Sequence, residues 1–224
     1  MKKRVKIALI TLFILLASMV VYSTFAVGGA NKDDFLLGEI FNPEKASKDD
    51  TIVATFKGQP ITGAELDRQM KINDFTASTT YPEGYTPPAK KTEAEAVDQL
   101  LLDKILLEEA KKRGLLASDE DVANAMKSLK EVYEIPEGKV RIDEVCKGMG
   151  MTFDEYWVYT EEYMPRSLSR QNVLAEFKQQ YCESNGLDLT VMDVDQYEEY
   201  EAALDEYQTS LLSAYNADIE YFPN

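Results

Sequence analysis

Residues 52–70, the most informative segment of the chain, read IVATFKGQPITGAELDRQM. Ile52–Phe56 is an apolar run rich in β-branched side chains, which predicts a strand. The next four residues, KGQP, predict a turn, because glycine tolerates a positive φ and proline fixes its own φ. Thr62 precedes Glu65 by three positions, the spacing of a capping box, in which each side chain satisfies a free backbone N–H at a helix start. The stretch therefore predicts a strand, a tight turn and a capped helix.

Two more helices follow from the same capping chemistry. Thr92 and Glu95 form a second capping box, and the helix they begin should end at Arg113, because Gly114 suits the position after a helix. Ser118 caps the next helix, whose first turn is acidic, as the helix dipole favours. These helices, with the one after residue 62, predict a mainly helical domain.

The remaining segments complete the fold prediction. We expect a short helix over 138–148, then a helix capped by Thr152 and kinked or divided at Pro165. A last helix covers roughly 195–215. Residues 217–222 alternate apolar and polar and predict a strand that pairs with 52–56. The predicted fold is thus mainly α, with a small two-stranded sheet joining the two ends of the domain.

Charge and composition exclude several function classes. The chain of 224 residues carries a formal charge of −16; four of its 24 basic residues lie in the first six positions, which leaves −20 on residues 7–224. Such a surface repels nucleic acid, so we expect no nucleic-acid partner. The chain has no histidine, which removes Ser-His and Cys-His nucleophile pairs and the commonest transition-metal ligand. We expect no catalytic residues, no metal site and no cofactor.

The amino terminus indicates export. The first six residues form a basic segment, and residues 7–30 carry no charge. This run fits a secretory signal with a cleavage site at 24–26, and it is also longer than the about 20 residues that span a membrane. Residues 1–30 are therefore a signal peptide or a transmembrane anchor, with the body extracytoplasmic in either case. Residues 31–50 predict a polar tether whose apolar positions could dock as a short helix, and 51–224 form the domain.

Three motifs resemble one protein family. Residues 53–65 fit the order V-A-x-[VF]-x-G-x-P-I-T-x-x-E, residues 109–122 read EAKKRGLLASDEDV, and residues 151–157 read MTFDEYW. In this order they resemble the helical N-terminal chaperone domain of the extracytoplasmic foldases related to SurA, PrsA and trigger factor. Many members carry a parvulin prolyl isomerase domain before the closing helix. Here only residues 187–194 are available there, so the resemblance implies a chaperone module without isomerase activity.

The resemblance implies a protein that holds unfolded or exported polypeptides on an apolar surface. Aromatic and Met side chains supply adaptable contacts in such a groove. The candidate groove residues, which recur at helical spacing, are Tyr156, Trp157, Tyr163, Met164, Tyr197, Tyr200 and Tyr207. The alternative is that these side chains belong to the core. The alternative function is a non-catalytic subunit of the same fold dedicated to one membrane or cell-envelope partner. An enzyme using carboxylates is disfavoured, because adjacent acidic pairs on a helix do not face each other.

Two further questions stay open from the sequence. Cys146 and Cys182 could join in a disulfide in an exported chain, or they could be two independent thiols on helices. The identity of the client and the oligomeric state have no signal in the sequence.

Overall fold

The structure is a computed structural model that describes residues 30–78 and 88–222. Within these residues it contains seven α-helices and one three-stranded antiparallel sheet. In chain order the elements are α1 (Ala30–Ile40), β1 (Ile52–Phe56), β2 (Gln59–Thr62), α2 (Gly63–Ser78), α3 (Glu93–Arg113), α4 (Asp119–Glu134), α5 (Pro136–Met149), α6 (Phe153–Asn185), α7 (Val194–Ala214) and β3 (Ile219–Tyr221). The predicted signal or anchor before residue 30 lies outside the described residues, and among the described helices none is long and apolar enough to cross a membrane.

The sheet joins the two ends of the domain, as the sequence predicted. The strand order is β2-β1-β3, and Phe56 pairs with Gln59 on one side and with Ile219 on the other. The backbone N–H of Phe222 donates to the carbonyl of Val53 at 2.9 Å. The sheet also has a third strand, β2, that the sequence pattern did not predict. The chain reverses over only two residues, Lys57 (φ 50°) and Gly58 (φ 75°), so the residues that follow pair with β1.

The predicted helix starts are confirmed. The carboxylate of Glu65 accepts the backbone N–H of Thr62 at 2.8 Å, and the Thr62 hydroxyl accepts that of Glu65 at 3.2 Å. Complete capping boxes also begin α3, α4 and α6, and Gly114 ends α3 in the left-handed conformation. Local side-chain chemistry therefore fixes where these helices begin.

Pro165 does not divide α6, which continues over 33 residues. A proline removes one backbone hydrogen bond, and here its surroundings hold the helix together. The flanking Met164 and Leu168 are buried against α4, and the Ser169 hydroxyl donates to the carbonyl of Pro165 at 2.6 Å. The same hydroxyl accepts the backbone N–H of Ala117 at 3.0 Å, which ties the α3–α4 connection to this turn of α6.

The buried apolar residues fall into two lobes. One core combines the sheet with α2, α3, α7 and Val173 of α6. We call this part, residues 52–78, 93–113 and 169–222, the sheet lobe. Two smaller clusters join α4, α5 and the first half of α6, with Phe41 packed against them. We call residues 30–41 and 119–168 the arm lobe. Helix α6 runs through both lobes.

Helix α1 lies directly on α5. At Gly38 an added Cβ would lie 2.2 Å from the carbonyl oxygen of Val145, and at Gly148 it would lie 2.2 Å from that of Phe35. The two helices therefore touch backbone to backbone at this pair of glycines. Asp34 and Arg141 form a buried ion pair beside the contact, with nitrogen–oxygen distances of 2.9 and 3.0 Å. Residues 31–40, within the predicted tether, thus form part of the folded arm lobe.

Candidate functional site

A cleft of about 700 Å³ lies between the two lobes. Its walls come mainly from α1 to α6, and most of the lining is apolar. This volume is in the range of protein cavities that bind small molecules or segments of a chain. Typical wall residues, one from each of five helices, are Leu37, Leu102, Leu129, Ile142 and Tyr156.

The first half of α6 supplies the aromatic wall of the cleft. Tyr156, Tyr159, Tyr163 and Met164 all line it. Three of these, Tyr156, Tyr163 and Met164, are among the residues predicted from the sequence. Tyr156 is buried, and burial raises the pKa of its hydroxyl to about 12. Tyr163 is 38% exposed, so it is the one of the three that stands at the cleft surface.

The other four predicted residues lie away from the cleft lining. Trp157 packs against the α4 side of the arm lobe. Tyr207 stacks on Phe177 with ring centroids 4.4 Å apart, and Tyr200 is buried beside it on the same seam between α6 and α7. Tyr197 is 40% exposed at the start of α7. The stripe of tyrosines on α7 therefore packs α7 onto α6, which is the core alternative that the sequence left open.

The two arginines of the cleft are each paired with a carboxylate. Arg170 of α6 forms an ion pair with Asp103 of α3, and its guanidinium also contacts the hydroxyl and ring of Tyr163. Asp103 is open to the cleft but surrounded by protein, and this desolvation raises the pKa of its carboxyl although Arg170 opposes the shift. Arg141, the second guanidinium, is held by Asp34. These pairs leave the centre of the cleft close to neutral.

A group of amides gives the α2–α3 wall its polar contacts. Gln99 accepts hydrogen bonds from Asn73 at 2.8 Å and from Gln69 at 3.3 Å, and Gln69 also donates to Asn73 at 3.1 Å. Gln69 and Gln99 line the cleft. Amides both donate and accept, so they can pair with a peptide backbone whatever its sequence. Together with the apolar walls, they suit a ligand that is a stretch of polypeptide.

The two cysteines are separate buried thiols. Both are free, which answers the question of pairing that the sequence left open. Burial raises the pKa of the Cys146 thiol to about 11, so it is not an activated nucleophile. Among the described residues no cluster of Cys, Asp or Glu has the arrangement of a metal site.

A family model described as a SurA-like N-terminal domain matches residues 1–140. This match spans both lobes, from α1 through α4. The chain belongs to the SurA-like N-terminal domain family. No curated protein and no solved structure matches it. SurA-like domains have a chaperone-type fold and generally bind polypeptides. In this SurA-like domain, eight residues, 186–193, connect α6 directly to α7.

Proposed function

We propose that this SurA-like domain is an extracytoplasmic holdase, which binds apolar segments of unfolded or exported polypeptides in the cleft between its lobes. The observation that carries the proposal is the cleft itself, apolar and about 700 Å³ in volume, in a fold whose relatives bind polypeptides. Burial of apolar side chains would supply the affinity, at about 25 cal/mol per Å² of apolar surface removed from water. The amides of Gln69 and Gln99 would hold the peptide backbone.

The binding is proposed to involve no chemistry. The chain has no histidine, and the connection between α6 and α7 is too short for an inserted isomerase domain. Prolyl isomerisation of a test peptide should therefore proceed at its uncatalysed rate in the presence of the protein. The basic and uncharged segments at the amino terminus support a body held outside the cytoplasm, on a membrane anchor or after signal cleavage.

The decisive experiment reduces the space in the cleft by placing a large side chain on one of its walls. Ser128 of α4 lines the cleft, and Ser128→Trp places an indole in it. Ala123, on the same helix, is exposed and lies outside the cleft lining, so Ala123→Trp adds the same group elsewhere. Two measurements compare these variants with the parent chain: anisotropy of a dye-labelled apolar peptide, and light scattering from several unfolded client proteins.

We expect the parent and Ala123→Trp to bind the peptide and to suppress aggregation of more than one client. Ser128→Trp should weaken peptide binding by about tenfold or more, since the space for the peptide is lost. Circular dichroism checks that both variants fold. Equal binding by the two variants would place the site elsewhere. Protection of no client, together with tight capture of one envelope protein, would replace the holdase proposal with the dedicated-subunit alternative.

A further inference from the structure

A second, shallow hollow lies on one face of α6 and shares a lining residue with the cleft. Tyr159 lines both the cleft and this hollow, so the two border on the same ring. The rest of the hollow consists of Val158, which is 55% exposed, and three exposed carboxylates, Asp154, Glu155 and Glu162. A ligand that leaves the cleft past Tyr159 therefore meets an apolar side chain set among acidic ones.

Two of these carboxylates are available to a ligand. Glu155 is engaged in the capping box, because its Oε2 accepts the backbone N–H and the hydroxyl of Thr152 at 2.7 and 2.8 Å. Asp154 and Glu162 form no ion pair or hydrogen bond with the described part of the chain. Arg68 of α2 acts on Tyr159 as a nearby cation, and three carboxylates line the hollow.

The cleft offers no matching attraction to acidic ligands. Its two arginines are each engaged by a carboxylate, Arg141 by Asp34 and Arg170 by Asp103. Lys91 and Glu137 add one charge of each sign to the lining. The charge of −20 on residues 7–224 also favours basic ligands, because it repels acidic segments and attracts basic ones before contact.

We infer that the preferred occupant of the cleft is an apolar segment with lysine or arginine at one end. The apolar side chains lie in the cleft, the chain leaves past Tyr159, and its cation lies against Asp154 and Glu162. This inference rests on the proposed function, since it specifies which polypeptides the same cleft selects. We therefore expect the protein to distinguish clients by the charge next to their apolar segment. Burial of the apolar segment supplies most of the affinity.

The test uses dye-labelled peptides that share one apolar segment and differ only in their flanks, which are lysine, serine or glutamate. Anisotropy titrations with the full chain give the three dissociation constants. At about 150 mM salt we expect the lysine peptide to bind about tenfold more tightly than the glutamate peptide, with the serine peptide between them. At about 1 M salt, where charges are screened beyond about 3 Å, the three constants should agree within about twofold.

A pair of double variants locates the effect. Asp154→Asn with Glu162→Gln should weaken binding of the lysine peptide by about threefold to tenfold and leave the serine peptide unchanged. Glu198→Gln with Glu199→Gln removes the same two charges from exposed positions on α7 and should change neither peptide by more than about 1.5-fold. Circular dichroism confirms folding of both.

The outcomes separate this inference from the proposed function. If the serine peptide binds in the cleft and the three flanks bind equally, the charge selection is wrong and the proposed function stands. If both double variants weaken the lysine peptide equally, only the overall charge acts and the placement at Asp154 and Glu162 is wrong. If no peptide binds, the proposed function fails and the inference fails with it.

Discussion

Replacement of Gly148 by alanine tests how the arm lobe is held together. The added methyl would lie 2.2 Å from the carbonyl oxygen of Phe35, 2.9 Å from the backbone N of Glu39 and 2.9 Å from the Cα of Gly38. All three are backbone atoms of α1, so no side chain can turn away to make room. Since carbon contacts are optimal near 3.5–4.0 Å, α1 must move from α5 by more than about 1 Å.

The expected loss of stability follows from two opposing effects. Overpacking of this kind costs about 1–3 kcal/mol, and a contact made only of backbone atoms favours the upper end. Alanine is the better helix former by about 1 kcal/mol, which offsets part of the cost. We therefore expect the free energy of unfolding to fall by about 2 kcal/mol, and the melting temperature by about 4–8 °C.

Urea unfolding followed by circular dichroism measures this change. Val140→Ala, at an exposed position of the same helix, is the control and should stay within about 0.5 kcal/mol of the parent. Because Leu37 and Phe41 line the cleft next to this contact, Gly148→Ala should also weaken peptide binding. A variant as stable as the parent, or more stable by the helix-propensity gain, would refute the backbone contact between α1 and α5.

Three further predictions concern the thiols, the helix caps and the proline. Cys146 and Cys182 should react with a thiol reagent near pH 8 only as the protein unfolds, because burial raises the pKa of both thiols; rapid labelling of the native protein would contradict this. Hydrogen bonds from the capping threonines lower the pKa of Glu95 and Glu155, so the stability they add is present above about pH 4.3 and is lost as the pH falls. Between about pH 5 and about pH 3, the melting temperature should fall less for the double variant Glu95→Gln with Glu155→Gln than for the parent. Equal falls in melting temperature would exclude the effect. Pro165→Ala restores a backbone N–H inside α6 and should raise the free energy of unfolding by about 1–3 kcal/mol in urea, whereas a decrease would show that the proline is accommodated without cost.

The elements that depend on local chemistry were predictable from the sequence. A capping box acts over four residues, so Thr62 with Glu65 and Thr92 with Glu95 identify helix starts without knowledge of the fold. The pairing of β3 with β1 was also predicted, because both strands carry a short alternating or apolar pattern at the ends of the domain. Strand β2 was not predicted, because Pro60 indicated a turn. Only its pairing with Thr55 shows that Pro60 lies in a strand.

The cleft depended on contacts that no local pattern contains. The Arg141–Asp34 ion pair joins residues 107 positions apart, and the glycines of α1 and α5 meet only after both helices have formed. Helical spacing identified aromatic stripes on α6 and α7 alike. It could not show that Tyr163 faces a cleft whereas Tyr207 packs on Phe177, because both patterns are those of a buried face.

Photo-crosslinking shows directly whether polypeptides bind between the lobes. A benzophenone amino acid placed at Ser128, inside the cleft, is compared with the same group at Ala123, on the outer face of α4. With an unfolded client present, we expect a crosslink from position 128 that excess unlabelled apolar peptide removes, and little from position 123. Equal crosslinking from both positions, or a product at 128 that the peptide does not compete, would show that polypeptides do not bind between the lobes.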